Sequence, residues 1–172
     1  MKLISEYAGY KLLFVQPSIW KMYHELKAND EVIGTIRQKG LFGMKWEITM
    51  GGKTWEIYRK SFWRSAMNVR ESGYELPFAE VNKEGFRNKW LIILPKGERL
   101  QVIPHLFKGY SELKNELDEC LVMIKPRVSF KERADISIEK KSNIVDKYPW
   151  SVVLAYMIII QLKHQAAHAA AV

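Results

Sequence analysis

The stretch that decides the fold is Trp150-Ser151-Val152-Val153-Leu154-Ala155-Tyr156-Met157-Ile158-Ile159-Ile160-Gln161-Leu162, near the end of a 172-residue chain. It is apolar on all sides, and Pro149 just before it suits the first position of a helix. A helix without a polar face has to be enclosed. The sequence therefore predicts a helix over about 149–163 that is buried in protein, and a frayed or disordered tail over 164–172.

A membrane is the alternative enclosure for this helix. Its 13 residues rise only about 20 Å, whereas the hydrocarbon core of a bilayer is about 30 Å thick. A span that continued to Val172 would place Lys163 near its centre, at a cost of about 2.5–3.5 kcal/mol. We therefore predict no integral membrane span, with a C-terminal anchor as the weaker alternative.

Upstream of this helix the chain repeats itself three times, at a spacing of about 44 residues. The matched positions are Gly9, Gly52 and Gly97; Ile19, Phe62 and Phe107; and Ile36, Val81 and Ile124. The first two units also match in detail, since the segment 39–48 is echoed by 84–92, with Trp46 equivalent to Trp90. Such a period indicates a repeated unit that shares one core with its copies. We therefore expect Trp46, Trp90 and the matched apolar residues to face that core.

Within each unit the apolar residues alternate with polar ones, which is typical of half-buried strands. Turn residues such as Met50-Gly51-Gly52 and Pro95-Lys96-Gly97 separate these runs. The pattern predicts four strands per unit and twelve in all. They are Lys11 to Val15, Trp20 to Lys27, Val32 to Arg37, Lys45 to Met50, Lys53 to Arg59, Ser65 to Arg70, Pro77 to Asn82, Lys89 to Leu94, Arg99 to Ile103, Tyr110 to Lys114, Cys120 to Lys125 and Ala134 to Glu139.

The segment 111–124 fits two structures. Leu113, Leu117 and Leu121 would lie on one face of an amphipathic helix, with acidic residues on the other. The repeat instead favours a hairpin, because Tyr110 to Lys114 mirrors Tyr23 to Lys27. We predict the hairpin.

Twelve antiparallel strands followed by an apolar helix predict a mainly β protein, a closed barrel of three four-strand units around the buried C-terminal helix. A barrel of more than about eight strands has an interior that its own side chains cannot fill, and the helix would fill it. A β-propeller is the competing architecture. Three blades are fewer than the usual four to eight, and a propeller has no place for the helix.

This order of elements resembles the tubby C-terminal-like superfamily, which includes tubby proteins, the plant LURP-one-related proteins and phospholipid scramblases. The resemblance covers about Tyr10 to Leu162, and it rests on element order, repeat length and the final helix. It implies a single tubby-like barrel domain over 1–172. Tubby-like domains bind phosphoinositide headgroups through Lys and Arg, and scramblases move lipids between leaflets in response to calcium. No local motif carries either residue set over, and the chain has no loop of the kind that holds calcium.

The composition limits location and partners. The single cysteine, Cys120, cannot form an internal disulfide, and Met1 to Glu6 do not begin a signal peptide, so we expect a cytoplasmic protein, with peripheral membrane association as one option. The net charge of +8 makes an anionic partner plausible, and a protein partner is the alternative. No recognised motif supports binding to nucleic acid.

The motifs of common enzymes and cofactors are missing from the sequence, so we predict no catalytic residue, no metal and no cofactor. His164 and His168 have a spacing seen among metal ligands, but no acid lies between them. The stretch from Lys53 to Arg70 is basic and aromatic. From it we select Lys53, Arg59, Lys60 and Arg64 as ligand-binding candidates; a solvated face is the plainer interpretation. The expected function is that of a non-enzymatic domain binding an anionic phospholipid headgroup, and the alternative is a scaffold or interaction module.

Overall fold

The computed structural model describes residues 2–39, 45–59, 65–85, 89–129 and 131–170. Within them, twelve strands form one closed antiparallel barrel, in which every strand pairs with its sequence neighbours and β1 also pairs with β12. The predicted fold class is confirmed. The strands are β1 (Leu12–Val15), β2 (Tyr23–Ala28), β3 (Glu31–Lys39), β4 (Lys45–Met50), β5 (Lys53–Arg59), β6 (Met67–Glu71), β7 (Ala79–Glu84), β8 (Lys89–Ile93), β9 (Arg99–His105), β10 (Tyr110–Lys114), β11 (Cys120–Pro126) and β12 (Arg133–Ile138).

The three repeated units correspond to β1–β4, β5–β8 and β9–β12. Ile36, Val81 and Ile124 lie on the third strand of each unit, and all three are buried in one core. Gly52 lies directly before β5 and Gly97 lies two residues before β9. They have positive φ angles of 77° and 80°, a conformation that glycine adopts without strain. The repeat in the sequence is therefore a repeat in the structure.

Helix α2 (Trp150–Ala170) fills the barrel, and a short helix α1 (Asn143–Lys147) precedes it. Residues 150–160 are all buried, and the ring of Tyr156 stacks on Phe14 of β1 with centroids 4.0 Å apart. The helix is longer than predicted, because residues 164–170 are helical rather than a frayed or disordered tail. Among the described residues, no helix combines the length and the apolarity needed to cross a bilayer.

The two ends of the barrel carry different loops and different parts of α2. We call the end where α2 begins the entry end; it carries the turn between β6 and β7, with Phe78 against Trp150. We call the opposite end the exit end. It carries the loops 16–22, 106–109 and 127–132 and the last turns of α2.

Segment 111–124 is the predicted hairpin and not a helix, since β10 and β11 pair side by side. Leu117 lies in its turn and is exposed, whereas the helical alternative would have buried it with Leu113. The prediction that Ile19, Phe62 and Phe107 occupy a core position is wrong for the two that can be judged. Ile19 and Phe107 are exposed loop residues, and Phe62 lies outside the described residues.

Candidate functional site

At the exit end, the inward-facing rows of several strands change from apolar to polar. Trp55 and Ile57 of β5 are buried, and the next residue with the same orientation is Arg59. His24 likewise precedes the buried Leu26 of β2. The residues in this polar layer are Gln16, His24, Gln38, Arg59 and Glu132. Strand alternation thus places five polar side chains around the last turns of α2.

An open pocket of about 280 Å³ lies within this layer. Met22, Ile36 and Trp46 from the barrel and Met157 and Ile160 from α2 give it an apolar wall. Its polar lining is His24, Gln38, Arg59, Gln161, His164 and Gln165, together with Tyr156. The pocket therefore combines an apolar wall with a small set of convergent polar groups, as ligand sites commonly do.

Arg59 is the cation of this pocket. Its Nη2 donates a hydrogen bond to Oε1 of Gln161 at 3.0 Å, and its guanidinium lies 5.9 Å from the ring centroid of Trp46. The Nε atom is buried and has no hydrogen-bond partner among the described residues. Burial lowers the pKa of Arg59, but an arginine stays charged at neutral pH. The guanidinium therefore keeps its charge in the pocket and has at least one N–H, that of Nε, without a partner among the described residues.

A second cluster joins α2 to the barrel through one carboxylate. Oε2 of Glu132 lies 2.6 Å from Nε2 of His24, and its Oε1 pairs with Nε2 of His164 on α2. Burial on its own would raise the pKa of Glu132, but the hydrogen bonds and charge of the two histidines outweigh it and hold this pKa below its ordinary value. The carboxylate is thus engaged on both oxygens and does not face the pocket as a free anion.

Replacing Glu132 by Gln tests this cluster. Because the folded-state pKa of Glu132 is lowered, its stabilisation is present above the ordinary carboxyl pKa of about 4.3 and is lost as the pH falls through the lowered pKa. We expect Glu132→Gln to reduce the free energy of unfolding by about 1–3 kcal/mol near pH 7. Urea unfolding across pH should show this difference shrinking below about pH 4.

The control for this experiment is Glu98→Gln, which removes an exposed pair with Lys147 and should cost less than about 1 kcal/mol. If the free energy of unfolding of Glu132→Gln differs from that of the unchanged protein by the same amount at every pH, the role given to the carboxylate is contradicted.

The described residues give little support for a metal site or for a nucleophilic cysteine. The part of the chain that the structure describes contains no group of three ligating side chains arranged to hold a metal ion. Burial, followed by the charge of Glu112, raises the pKa of Cys120 to about 11, so its thiol is protonated at neutral pH and is a weak nucleophile.

The structure separates the residues predicted to form a site. Lys53 begins β5 at the entry end and Arg59 ends it at the exit end, about 20 Å away along an extended strand. Lys60 and Arg64 lie outside the described residues. Arg70, from the same basic stretch, is paired with Glu56 at 2.7 Å. Of the predicted residues that can be placed, only Arg59 belongs to the exit-end pocket.

Two pockets at the entry end are less suited to an anion. One of about 290 Å³ places Lys53 beside the carboxylates of Glu71 and Asp146. The other, of about 580 Å³, contains Glu31 opposite Lys2. In each of them acidic side chains match the lysines in number, so the exit-end pocket is the better candidate for an anionic ligand.

Comparisons with known proteins support the fold alone. No protein-family model and no curated protein matches the chain. The X-ray structure of a protein from Arabidopsis thaliana, AT5G01750, is similar to it with a TM-score of 0.61. The match covers 95% of this chain and 98% of that one, at 12% sequence identity. The two proteins share a fold, and a twelve-stranded barrel fits the tubby-like architecture.

Proposed function

We propose that this protein is a non-catalytic, tubby-like domain that binds an anionic phospholipid headgroup in its exit-end pocket. Arg59 carries the proposal, because its charged guanidinium is partly buried there and its Nε has no hydrogen-bond partner among the described residues. A buried donor without a partner costs free energy, so a shift of the side chain that let this N–H meet a phosphate oxygen in the pocket would be favourable. Two parallel N–H donors of arginine also match the geometry of a phosphate.

The shape and polarity of the pocket favour a lipid over a free anion. Its volume of about 280 Å³ has room for a phosphate and its linker but not for a whole phospholipid. The apolar wall of Met22, Met157 and Ile160 adjoins the cation, as an amphiphilic ligand requires. Together with the net charge of +8, this arrangement supports a protein that acts at membrane surfaces.

The test is calorimetric titration with a short-chain phosphatidic acid below its micelle concentration, with inorganic phosphate as the parallel ligand. Arg59→Gln should lower the affinity about tenfold or more, since a hydrogen bond to a charged group contributes about 1.5–3 kcal/mol. Arg59→Lys should also weaken binding, because the charge is kept but the paired donors are lost. Inorganic phosphate should bind more weakly than the lipid.

Lys53→Gln is the matched control, since it removes an exposed cation from the other end of the same strand. It should change the affinity less than about twofold when salt screens long-range attraction. An equal loss in Lys53→Gln and Arg59→Gln would mean that only the net charge attracts the lipid. If the unchanged protein does not bind the soluble lipid at all, the proposal fails and a scaffold or interaction module takes its place.

A further inference from the structure

Three hairpin tips at the exit end expose apolar side chains to solvent. Trp20, Phe107 and Val128 are 90%, 108% and 105% exposed, in the loops that follow β1, β9 and β11. These values are far above those of an apolar residue that packs against the barrel. Such exposure of a tryptophan and a phenylalanine at loop tips is a feature that folding alone does not require.

The three hairpins are consecutive around the barrel, in the order β9–β10, β11–β12 and β1–β2. The backbone N–H of Gln16 donates to the carbonyl of Glu132 at 2.9 Å, and Nζ of Lys131 donates to the carbonyl of Pro17 at 3.0 Å. The loops of Trp20 and Val128 are therefore tied together. With strands about 4.8 Å apart, the arc from Phe107 to Trp20 spans about 20 Å.

Each of these loops also carries an exposed lysine: Lys21 and Lys108 directly follow Trp20 and Phe107, and Lys131 lies three residues after Val128. None of the three takes part in an ion pair with another described residue. We call the six residues Trp20, Lys21, Phe107, Lys108, Val128 and Lys131 the hairpin-tip surface. It is apolar and cationic at once.

The entry end has exposed apolar residues of a different character. Tyr74 and Leu76 are 67% and 82% exposed, with Glu75 between them. Leu117 lies between Glu116 and Asp118. Among the described residues, the most exposed apolar tips therefore neighbour lysines at the exit end and carboxylates at the entry end, so the exit-end tips are complementary to a negatively charged surface.

We infer that the hairpin-tip surface docks onto an anionic phospholipid bilayer. Tryptophan and phenylalanine partition into the interfacial layer of a membrane, where the indole N–H remains hydrated. Lysines at the same depth are attracted to anionic headgroups. The observations behind this inference are separate from the Arg59 pocket. Because both lie at the exit end, docking in this orientation would bring the pocket against the headgroup layer.

The first experiment measures co-sedimentation of the full chain with vesicles of phosphatidylcholine and phosphatidylserine. The double variant Trp20→Ala/Phe107→Ala should lower the partition coefficient about tenfold or more, because two apolar side chains no longer enter the interface. The control is Tyr74→Ala/Leu76→Ala, which removes comparably exposed side chains from the entry end and should leave partitioning unchanged. Equal effects of the two pairs would overturn the inference.

The second experiment measures the contribution of charge. Lys21→Gln/Lys108→Gln/Lys131→Gln should lower partitioning about fivefold for each lysine at low salt, and the loss should diminish as salt is added. Lys53→Gln/Lys96→Gln/Lys141→Gln changes the net charge equally at the entry end and should have a smaller effect. Equal losses would indicate attraction by the net charge without an oriented surface, which contradicts docking.

Fluorescence quenching by brominated acyl chains reports the depth of Trp20. Trp20→Phe should keep vesicle binding, because an aromatic side chain is retained, but should lose most of the quenching. Quenching that is unchanged in Trp20→Phe would overturn the inference. A second contradicting result would be that Trp20→Ala/Phe107→Ala abolishes self-association, or binding to an acidic protein, but leaves vesicle binding intact.

These outcomes distinguish the docking surface from the pocket. If Trp20→Ala/Phe107→Ala loses vesicles but the unchanged protein does not bind soluble phosphatidic acid, docking holds and the headgroup proposal fails. If Arg59→Gln loses the soluble lipid while Trp20→Ala/Phe107→Ala keeps vesicle binding, the headgroup proposal holds and docking fails.

Discussion

An Ile159→Asp variant is expected not to fold. Ile159 lies on the buried part of α2 inside the barrel and is 3% exposed. An unpaired carboxylate at this position costs several kcal/mol, a large part of the roughly 5–15 kcal/mol that stabilises a typical domain. Circular dichroism should show no cooperative thermal or urea transition, and most of the protein should be insoluble.

The control is Ala166→Asp, which places the same carboxylate on an exposed position of α2. It should unfold cooperatively and lose no more than about 1 kcal/mol through the helix dipole. Deleting residues 150–172 should give insoluble protein, because the apolar lining of the barrel would then face water. A truncated chain that stays soluble and folds cooperatively would refute the role of α2 as the filling of the barrel.

Much of the barrel could be predicted from the sequence because two independent patterns agree on it. Alternation defines the strands, and the period of about 44 residues defines which of them are equivalent, so the buried Ile36, Val81 and Ile124 fall on corresponding strands. Helix α2 then excludes a propeller. Agreement between local pattern and long-range repeat is what makes such a prediction robust.

The repeat predicts burial wrongly where the matched residue belongs to a loop. Ile19 and Phe107 keep the spacing of the core positions, but they lie past the ends of β1 and β9, where no neighbouring strand fixes the direction of a side chain. Spacing along the chain records that two loops are equivalent and does not record whether they are buried. For the same reason the predicted second strand starts too early, at Trp20, whereas β2 starts at Tyr23.

The pocket was only partly predictable. Arg59 continues the inward row of Trp55 and Ile57 by one step, so alternation alone could have turned it inward. Glu132 is 108 residues from His24, and the two meet because β12 closes on β1. His164 could not be assigned to the cluster, since the helix was expected to end at about 163. Closure and helix length are global properties that no local motif encodes.

Trp46→Ala and Trp90→Ala are expected to destabilise the protein by similar amounts, about 3–5 kcal/mol each. The two residues occupy the same position in β4 and β8, and they are 7% and 5% exposed. Each faces an apolar residue of the following strand, Ile57 for Trp46 and Val102 for Trp90. Urea unfolding measures both costs, and Trp20→Ala, an exposed change, should stay within about 0.5 kcal/mol.

The two variants should nevertheless differ in function, because only one of the tryptophans is part of the exit-end pocket. Trp46 contributes to the pocket wall and lies under the guanidinium of Arg59, so a folded Trp46→Ala protein should bind soluble phosphatidic acid more weakly. Trp90→Ala should bind it normally in the folded fraction. If either alanine variant costs less than about 1 kcal/mol, the equivalence of the two positions does not extend to their packing; if Trp90→Ala alone weakens lipid binding, the ligand lies elsewhere on the barrel.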